Sequence, residues 1–209
     1  MTPAVLVLIA ANVAVYFLQG ITGPFLFAHF ALWPLGDYPV AGTDFSVGFE
    51  VWQLVTSAFL HDPDSIAHLL LNMFALFMFG RDVERGLGTR RFVALYAASV
   101  VAGSLTQLAV VTASIDQGIA PTVGASGGVF GVLLAYAVMF PKRRLVVFPI
   151  FIPLPAWFVV AAYGVIELAN GVVGTQQGVA HFAHIGGMLG AALVLLTLPR
   201  RPAANRMMR

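Results

Sequence analysis

Long apolar stretches, separated by short polar segments, run through almost the whole chain. A membrane-spanning helix needs about 20 mostly apolar residues, and shorter spans are tolerated where they are recessed inside a bundle. The pattern predicts six spans, at about residues 3–20, 65–80, 92–113, 123–140, 150–170 and 180–199. We therefore predict an all-α membrane protein that forms a single domain over residues 1–209.

The segment between the first two spans, residues 21–64, is too apolar to be a free linker. It is rich in phenylalanine and tryptophan, which favour the interface between membrane and water. We predict a long structured first loop that lies in the outer interface.

Composition narrows the class of protein further. Hydrophobic residues make up 59% of the chain and charged residues only 10%, against about 25% charged residues in a soluble domain. A soluble protein this apolar would expose aggregating patches. Cysteine is absent, which excludes disulfides and thiolate chemistry. The net charge is only +2 and the basic residues lie in short loops, so we expect no nucleic-acid partner.

The positions of the charges give an orientation. All eleven basic residues fall into three groups, which are Arg81, Arg85, Arg90 and Arg91; Lys142, Arg143 and Arg144; and Arg200, Arg201, Arg206 and Arg209. With six spans these groups lie on one side, whereas Asp37, Asp44, Glu50, Asp62, Asp64 and Asp116 lie on the other. The positive-inside rule then predicts that both termini are cytoplasmic.

This orientation brings four polar residues into one layer. His68, Ser126 and His184 each lie about 5–6 Å inside the outer start of a span, at 1.5 Å per helical residue, and Asn72 lies one turn deeper. Taken singly, each is also explained by helix packing or by an interhelical hydrogen bond. Their shared depth, close to the outer surface, predicts instead a pocket that water can reach.

The polar residues of this layer are of the types that nucleophilic catalysis needs. Ser126, in the run Gly124-Ala-Ser-Gly-Gly128, needs a base to remove its proton, and neutral imidazole is the usual base. We predict that Ser126 and His184 lie within hydrogen-bond reach. The Ser126 backbone N–H, at a helix start, and the His68 and Asn72 side chains would stabilise the oxyanion.

Three further features of the spans bear on this pairing. Phe130, one turn below Ser126, either stacks on the imidazole of His184 or is an ordinary packing aromatic. The small residues Gly127 and Gly131, with Gly187 and Ala191, would let the fourth and sixth spans approach closely. Glu167 is placed towards the cytoplasmic end of the fifth span, so the sequence favours a Ser-His dyad without a carboxylate.

Other motifs in the chain allow other interpretations. The Gly124-x-Ser126-x-Gly128 pattern matches the nucleophile elbow of soluble α/β-hydrolases, but the preceding strand and acidic residue are missing. A zinc site from His61, His68, His181 and His184 is conceivable, although the H-E-x-x-H motif is absent. A transporter would distribute polar groups through the depth of the membrane, and only Glu167 and the prolines around the fifth span favour one.

Together these residues resemble the rhomboid family of intramembrane serine proteases. The motifs are His68-x-x-x-Asn72, Gly80-x-x-x-Glu84, Gly124-x-Ser126-Gly127 and Ala183-His184-x-x-Gly187. The resemblance implies a six-helix bundle in which Ser126 is the nucleophile and His184 the base. It also implies cleavage of peptide bonds in or near transmembrane segments of other proteins, without metal or cofactor.

The chain departs from the family pattern at two positions. Gln53 follows Trp52 where relatives often have arginine, which puts the usual anchoring of the first loop in doubt. Ala191 stands where they often have glycine. The alternative function is a catalytically inactive relative that binds membrane proteins. Without a recognisable transit peptide, we expect a prokaryotic plasma membrane, with the site towards the extracytoplasmic side. The sequence does not specify an oligomeric state.

Overall fold

The computed structural model describes residues 2–114, 119–146, 151–175 and 179–198. The basic residues of the C-terminal tail and Asp116 lie outside these ranges. The described chain is mostly helical, as the hydropathy pattern predicts. Its helices are α1 (Pro3–Thr22), α2 (Phe25–Phe30), α3 (Gln53–Thr56), α4 (Ile66–Ala75), α5 (Arg81–Leu87), α6 (Thr89–Ala113), α7 (Ser126–Met139), α8 (Ala156–Val173) and α9 (His181–Thr197).

Four of the described helices are long and apolar enough to cross a membrane. They are Pro3–Thr22, Ile66–Leu87, Thr89–Ala113 and Ala156–Val173. The second combines α4, a π-helical turn at Leu76–Gly80 and α5, and so extends further than the predicted 65–80. Two shorter apolar helices, Ser126–Met139 and His181–Thr197, match the fourth and sixth predicted spans. Six crossings and cytoplasmic termini stay a prediction.

The helices differ strongly in how much of their surface the bundle covers. Within their apolar windows, 39% of residues are buried in α6 but only 17% in α1 and in α8. Along α7 and α9 the glycines and alanines are mostly buried, including Ala135 and Ala191 at 0% exposure. The centre of the bundle is therefore formed by α6, α7 and α9, while α1 and α8 present most of their apolar surface outwards.

The predicted structured loop between the first two spans contains several short elements. After α2, the strands β1 (Asp37–Pro39) and β2 (Ser46–Gly48) form an antiparallel hairpin, and α3 leads to a 3₁₀ turn at Ser57–Phe59. A second hairpin, β3 (Arg144–Val146) with β4 (Pro153–Pro155), precedes α8.

Gln53 anchors the first loop, although the sequence left this anchoring in doubt. Its side chain is fully buried. The amide nitrogen donates to the carbonyls of Gly48 (3.1 Å) and His29 (3.4 Å), and the amide oxygen accepts from the backbone N–H of Trp33 (3.2 Å). A neutral amide thus ties three parts of the loop together without the charge of an arginine.

Glu84 ties the start of α1 to α5. Its carboxylate accepts hydrogen bonds from the backbone N–H groups of Ala4 (3.1 Å) and Val5 (3.0 Å) and from the hydroxyl of Thr89 (2.8 Å). The first N–H groups of a helix have no partner within the helix, and a negative charge there is favourable. At the adjacent Gly80, a Cβ would approach Val5 to 3.0 Å. The Gly80-x-x-x-Glu84 motif is therefore the docking point of α1.

Two of the three basic groups meet at one end of the bundle. Asp82 at the start of α5 contacts Arg85 and also Arg143, which lies in the segment after α7. The loops that follow the second and fourth predicted spans are therefore neighbours, as their common placement on one side of the membrane requires.

We expect Glu84→Gln to lower the free energy of unfolding by about 2 kcal/mol or more, because it leaves buried donors without a charged acceptor. Unfolding in mixed micelles, followed by circular dichroism, measures the change. Asp82→Asn, which breaks half-exposed ion pairs, is the control and is expected to cost about 0–1 kcal/mol. Equal losses in both variants would contradict the capping role of Glu84.

Candidate active site

Ser126 is the first residue of α7, which begins slightly later than predicted. The segment before it is fixed by backbone hydrogen bonds to the first loop. Leu32 and Thr122 exchange two such bonds (3.0 and 2.8 Å), and the Gly124 N–H donates to the carbonyl of Ser57 (3.0 Å). The backbone N–H of Ser126 lies in the first turn of the helix, where such groups have no helical partner and carry a partial positive charge.

Gly124 makes room for two functional side chains. Its φ of +129° is a conformation that side chains disfavour. A Cβ at this position would lie 2.9 Å from Nε2 of His68 and 3.7 Å from Oγ of Ser126. His68 and Ser126 therefore border the same small space, and only a residue without a side chain leaves that space open.

His68 presents a donor to this space. Its Nδ1 accepts a hydrogen bond from the backbone N–H of Asp62 (3.4 Å). In a neutral imidazole one ring nitrogen accepts and the other donates, so this bond assigns the proton to Nε2, the atom beside Gly124. The amide of Asn72 donates to the carbonyl of His68 (2.9 Å), which leaves its second hydrogen for another acceptor.

His61 supports His68 from behind. The two rings lie 5.1 Å apart between centroids, and His61 is fully buried. Burial, and then the neighbouring His68, lowers the pKa of His61 to about 4, so His61 is uncharged at neutral pH. Neither of its ring nitrogens has a hydrogen-bond partner among the described residues.

The imidazole of His184 contacts the ring of Phe130 and the carboxylate of Glu167. The predicted stacking on Phe130 is confirmed, with ring centroids 4.1 Å apart and planes inclined by 5°. Nδ1 of His184 lies 2.7 Å from Oε2 of Glu167. No hydrogen bond joins the side chains of Ser126 and His184 among the described residues, so their predicted pairing stays a prediction. Phe130 lies about one turn along α7 from Ser126, and the His184 ring therefore packs against the helix that begins at the serine.

Glu167 lies at the opposite end of its span from the one predicted. It is within two turns of the end of α8 at Val173, next to the start of α9. The structure brings Glu167 to His181 and His184 instead. In the predicted six-span topology the fifth span runs from the cytoplasmic side outwards, so its C-terminal half already belonged at the outer level. An ionisable residue inside a span indicates a functional site. By this criterion the sequence alone marks Glu167 as a candidate site residue.

His181 shares the same carboxylate oxygen. Its Nδ1 lies 2.7 Å from Oε2 of Glu167, and its Nε2 lies 3.2 Å from the carbonyl oxygen of Thr175. The ligand atoms of Glu167, His181 and His184 lie within 4.8 Å of one another, so these three residues are a set that could hold a metal ion. The zinc site considered from the sequence had a different set of ligands, because it combined His181 and His184 with His61 and His68.

Glycines bring α7 and α9 into backbone contact, as predicted. A Cβ on Gly187 would overlap the carbonyl oxygen of Gly127, and one on Gly131 would lie 2.9 Å from the carbonyl oxygen of Gly187. Gly103 of α6 closes the cluster, because a Cβ there would lie 2.7 Å from the carbonyl oxygen of Ala183. This packing fixes the distance between the backbones that carry Ser126 and His184.

The comparisons with known proteins agree with this architecture. A model of the Rhomboid domain matches residues 48–201, well over half of the chain. The chain belongs to the rhomboid family.

Three relatives illustrate the extent of the similarity. Rhomboid protein 1, mitochondrial, of Saccharomyces cerevisiae is 34% identical over 140 residues, which cover 67% of this chain and 40% of that protein. Rhomboid protease GluP of Bacillus subtilis is 31% identical over 159 residues (75% and 28%). The putative rhomboid protease YdcA of the same organism is 38% identical over 90 residues (43% and 42%). The chain thus spans less than half the length of each.

The comparisons contradict the expected location. Matching relatives from Saccharomyces cerevisiae, Arabidopsis thaliana and Danio rerio are named as mitochondrial proteins, which overturns the expectation of a prokaryotic plasma membrane. That expectation rested on the lack of a recognisable transit peptide, a criterion that depends on where the sequence begins.

In a test of the peptidase function proposed below, we expect Gly124→Ala to lower the cleavage rate at least about 10-fold, because its Cβ intrudes beside His68 and its backbone conformation is strained by about 1–3 kcal/mol. Gly42→Ala is the matched control. Gly42 also has a positive φ, of +80°, but no atom lies within 4 Å of its Cβ position. Initial rates with one membrane substrate compare the two variants, and similar rates would contradict the spatial role of Gly124.

Proposed function

We propose that this protein is a serine endopeptidase that hydrolyses peptide bonds in or near transmembrane segments of other proteins. Membership of the rhomboid family supports this proposal, and the relatives GluP and YdcA are named as proteases. The observation that carries it is the arrangement around α7. Ser126 opens this helix beside the donor of His68, and Phe130 of the same helix holds the ring of His184.

In the proposed reaction Ser126 Oγ attacks the carbonyl carbon of the scissile peptide bond. Nε2 of His184 takes the hydroxyl proton as the new C–O bond forms, and the carbonyl oxygen becomes an oxyanion. The imidazolium then donates that proton to the leaving nitrogen as the C–N bond breaks, which leaves an ester on Ser126. A water molecule, deprotonated by His184, attacks the ester, and the serine is released with its proton restored.

The oxyanion would be stabilised by three donors from two helices. Nε2–H of His68 and the second amide hydrogen of Asn72 come from α4, and the backbone N–H of Ser126 comes from the start of α7. Donors that are fixed before the reaction need no reorganisation when the charge develops. The hydrogen bonds at His68 Nδ1 and at the Asn72 amide keep both α4 donors in place.

A narrow cavity beside Ser126 is the proposed site for the substrate residue next to the cut. Its lining consists largely of small residues, including Ala58, Gly103, Gly128 and Ala183. Such a lining favours a small substrate side chain. Gln107 also lines the cavity, and its Oε1 has no partner among the described residues, so a polar group or water is expected there.

A second candidate function is that of an inactive relative that binds membrane proteins. The missing hydrogen bond between Ser126 and His184 favours it. Hydrogen bonds of catalytic groups are often long before the substrate arrives and tighten only in the complex. Cleavage by the purified wild type separates the two functions.

The proposed function is tested by reconstituting the protein in lipid vesicles with a helical membrane substrate. We expect the wild type to cleave it, and Ser126→Ala and His184→Ala to reduce the rate at least about 10⁴-fold. A fluorophosphonate probe, which reacts only with an activated serine, should label the wild type and neither variant. Cleavage by Ser126→Ala would contradict the mechanism, and an unlabelled, inactive wild type would favour the binding function.

The oxyanion donors are tested separately. His68→Ala and Asn72→Ala should each lower kcat by about 10- to 1,000-fold, because each removes one donor to the transition state. KM should change little, since the oxyanion is absent from the ground state. Leu70→Ala, an exposed position on the same helix, is the control. Unchanged kcat in both polar variants would remove these side chains from the mechanism.

A further inference from the structure

We propose that Glu167 is a positioning residue for His184 and that His181 holds Glu167 in place, so that the catalytic unit has four members rather than two. This inference rests on the proposed peptidase function. It differs from the dyad that the sequence predicts, because it assigns the protonation of His184 to a carboxylate on α8.

The first argument is the direction of the hydrogen bonds at Glu167. An ionised carboxylate only accepts, so the 2.7 Å contact with His184 assigns a proton to Nδ1 of that ring. The other nitrogen of a neutral imidazole then carries a lone pair. Nε2 of His184 is therefore the atom that can take the proton of Ser126. Without Glu167 the ring could adopt the opposite tautomer, which has no base on that side.

The second argument is that two contacts fix the orientation of the ring. Phe130 covers one face of the imidazole of His184 at a centroid distance of 4.1 Å, and Glu167 holds its edge at Nδ1. Stacking alone allows the ring to turn in its own plane. The hydrogen bond removes this freedom and sets the direction of Nε2.

The third argument is that His181 holds Glu167 from its other side. Nδ1 of His181 lies 2.7 Å from the same Oε2 that contacts His184, and its Nε2 lies 3.2 Å from the carbonyl oxygen of Thr175. An ionisable side chain inside an apolar bundle is costly without such polar partners. The contact with His181 therefore keeps the part-buried carboxylate beside α9, where it meets His184.

The orientation of Glu167 within α8 agrees with this role. The neighbouring Val165, Ile166 and Leu168 are 68%, 52% and 49% exposed, as expected for side chains that face lipid. The Glu167 side chain is only 11% exposed and turns towards α9. We therefore assign Glu167 the task of orienting His184, whose Nδ1 it contacts.

The test compares Glu167→Gln and Glu167→Asp with Glu84→Gln in the reconstituted protein. A glutamine in place of Glu167 can offer either an N–H or an oxygen to the ring and no longer fixes the tautomer. We expect Glu167→Gln to lower kcat about 100-fold or more, as loss of an orienting carboxylate does in serine proteases, with KM nearly unchanged. Glu167→Asp keeps an acceptor and should restore part of kcat. His181→Gln, which replaces the imidazole that contacts Glu167, should lie between Glu167→Gln and the wild type.

Glu84→Gln makes the same chemical change at a buried carboxylate remote from the site, so it measures the effect of lost stability alone. A kcat for Glu167→Gln within about 3-fold of the wild type would overturn the positioning role. The positioning role would also be overturned if Glu167→Gln lost no more kcat than Glu84→Gln at equal loss of stability. In either case inactivity of Ser126→Ala would leave the proposed function intact. Loss of wild-type activity on chelation would also overturn the inference, by assigning the three residues to a metal ion.

Discussion

The backbone contact between α7 and α9 is the constraint on which the site depends. The carbonyl of Gly127 lies where a side chain on Gly187 would have to be. Ser126 immediately precedes the first of these glycines, and His184 lies about one turn before the second. Because the contact is made by main-chain atoms, no change of rotamer can widen or narrow it. The relative position of Ser126 and His184 is therefore a property of the packed helices, and Phe130 and Glu167 adjust only the direction of the imidazole ring.

Local spacing made part of this site predictable from the sequence. Hydropathy located the helices, and the depth of His68, Ser126 and His184 follows from the starts of their spans. Phe130 follows from Ser126 by one helical turn. Glu167 was missed because it was placed at the cytoplasmic end of its span, although the predicted alternation of six spans puts that end at the outer level. The pairing of Glu167 with two histidines could not be predicted, since it depends on how far α8 is rotated about its own axis.

The first loop shows where sequence patterns have no predictive power. Its aromatic residues indicated a structured segment, but not the contacts of Gln53 with Gly48, His29 and Trp33. Nor did any pattern indicate that Leu32 pairs with Thr122 just before α7. Such contacts join residues far apart in the chain and involve ordinary polar groups, so no periodicity marks them. They matter for function because they fix the segment from which Ser126 projects.

The π-helical turn at Leu76–Gly80 changes the direction in which the second span presents its side chains. Before the turn, His68 and Asn72 are directed to the site. After it, Glu84 is directed to the start of α1. One residue advances an α-helix by about 100°, so the extra residue of a π-helical turn shifts the phase of everything that follows. In an uninterrupted α-helix Glu84 would point about 100° away from its present direction relative to His68 and Asn72, and it would no longer face the start of α1. The π-helical turn therefore lets one span direct His68 and Asn72 to the site and Glu84 to the start of α1.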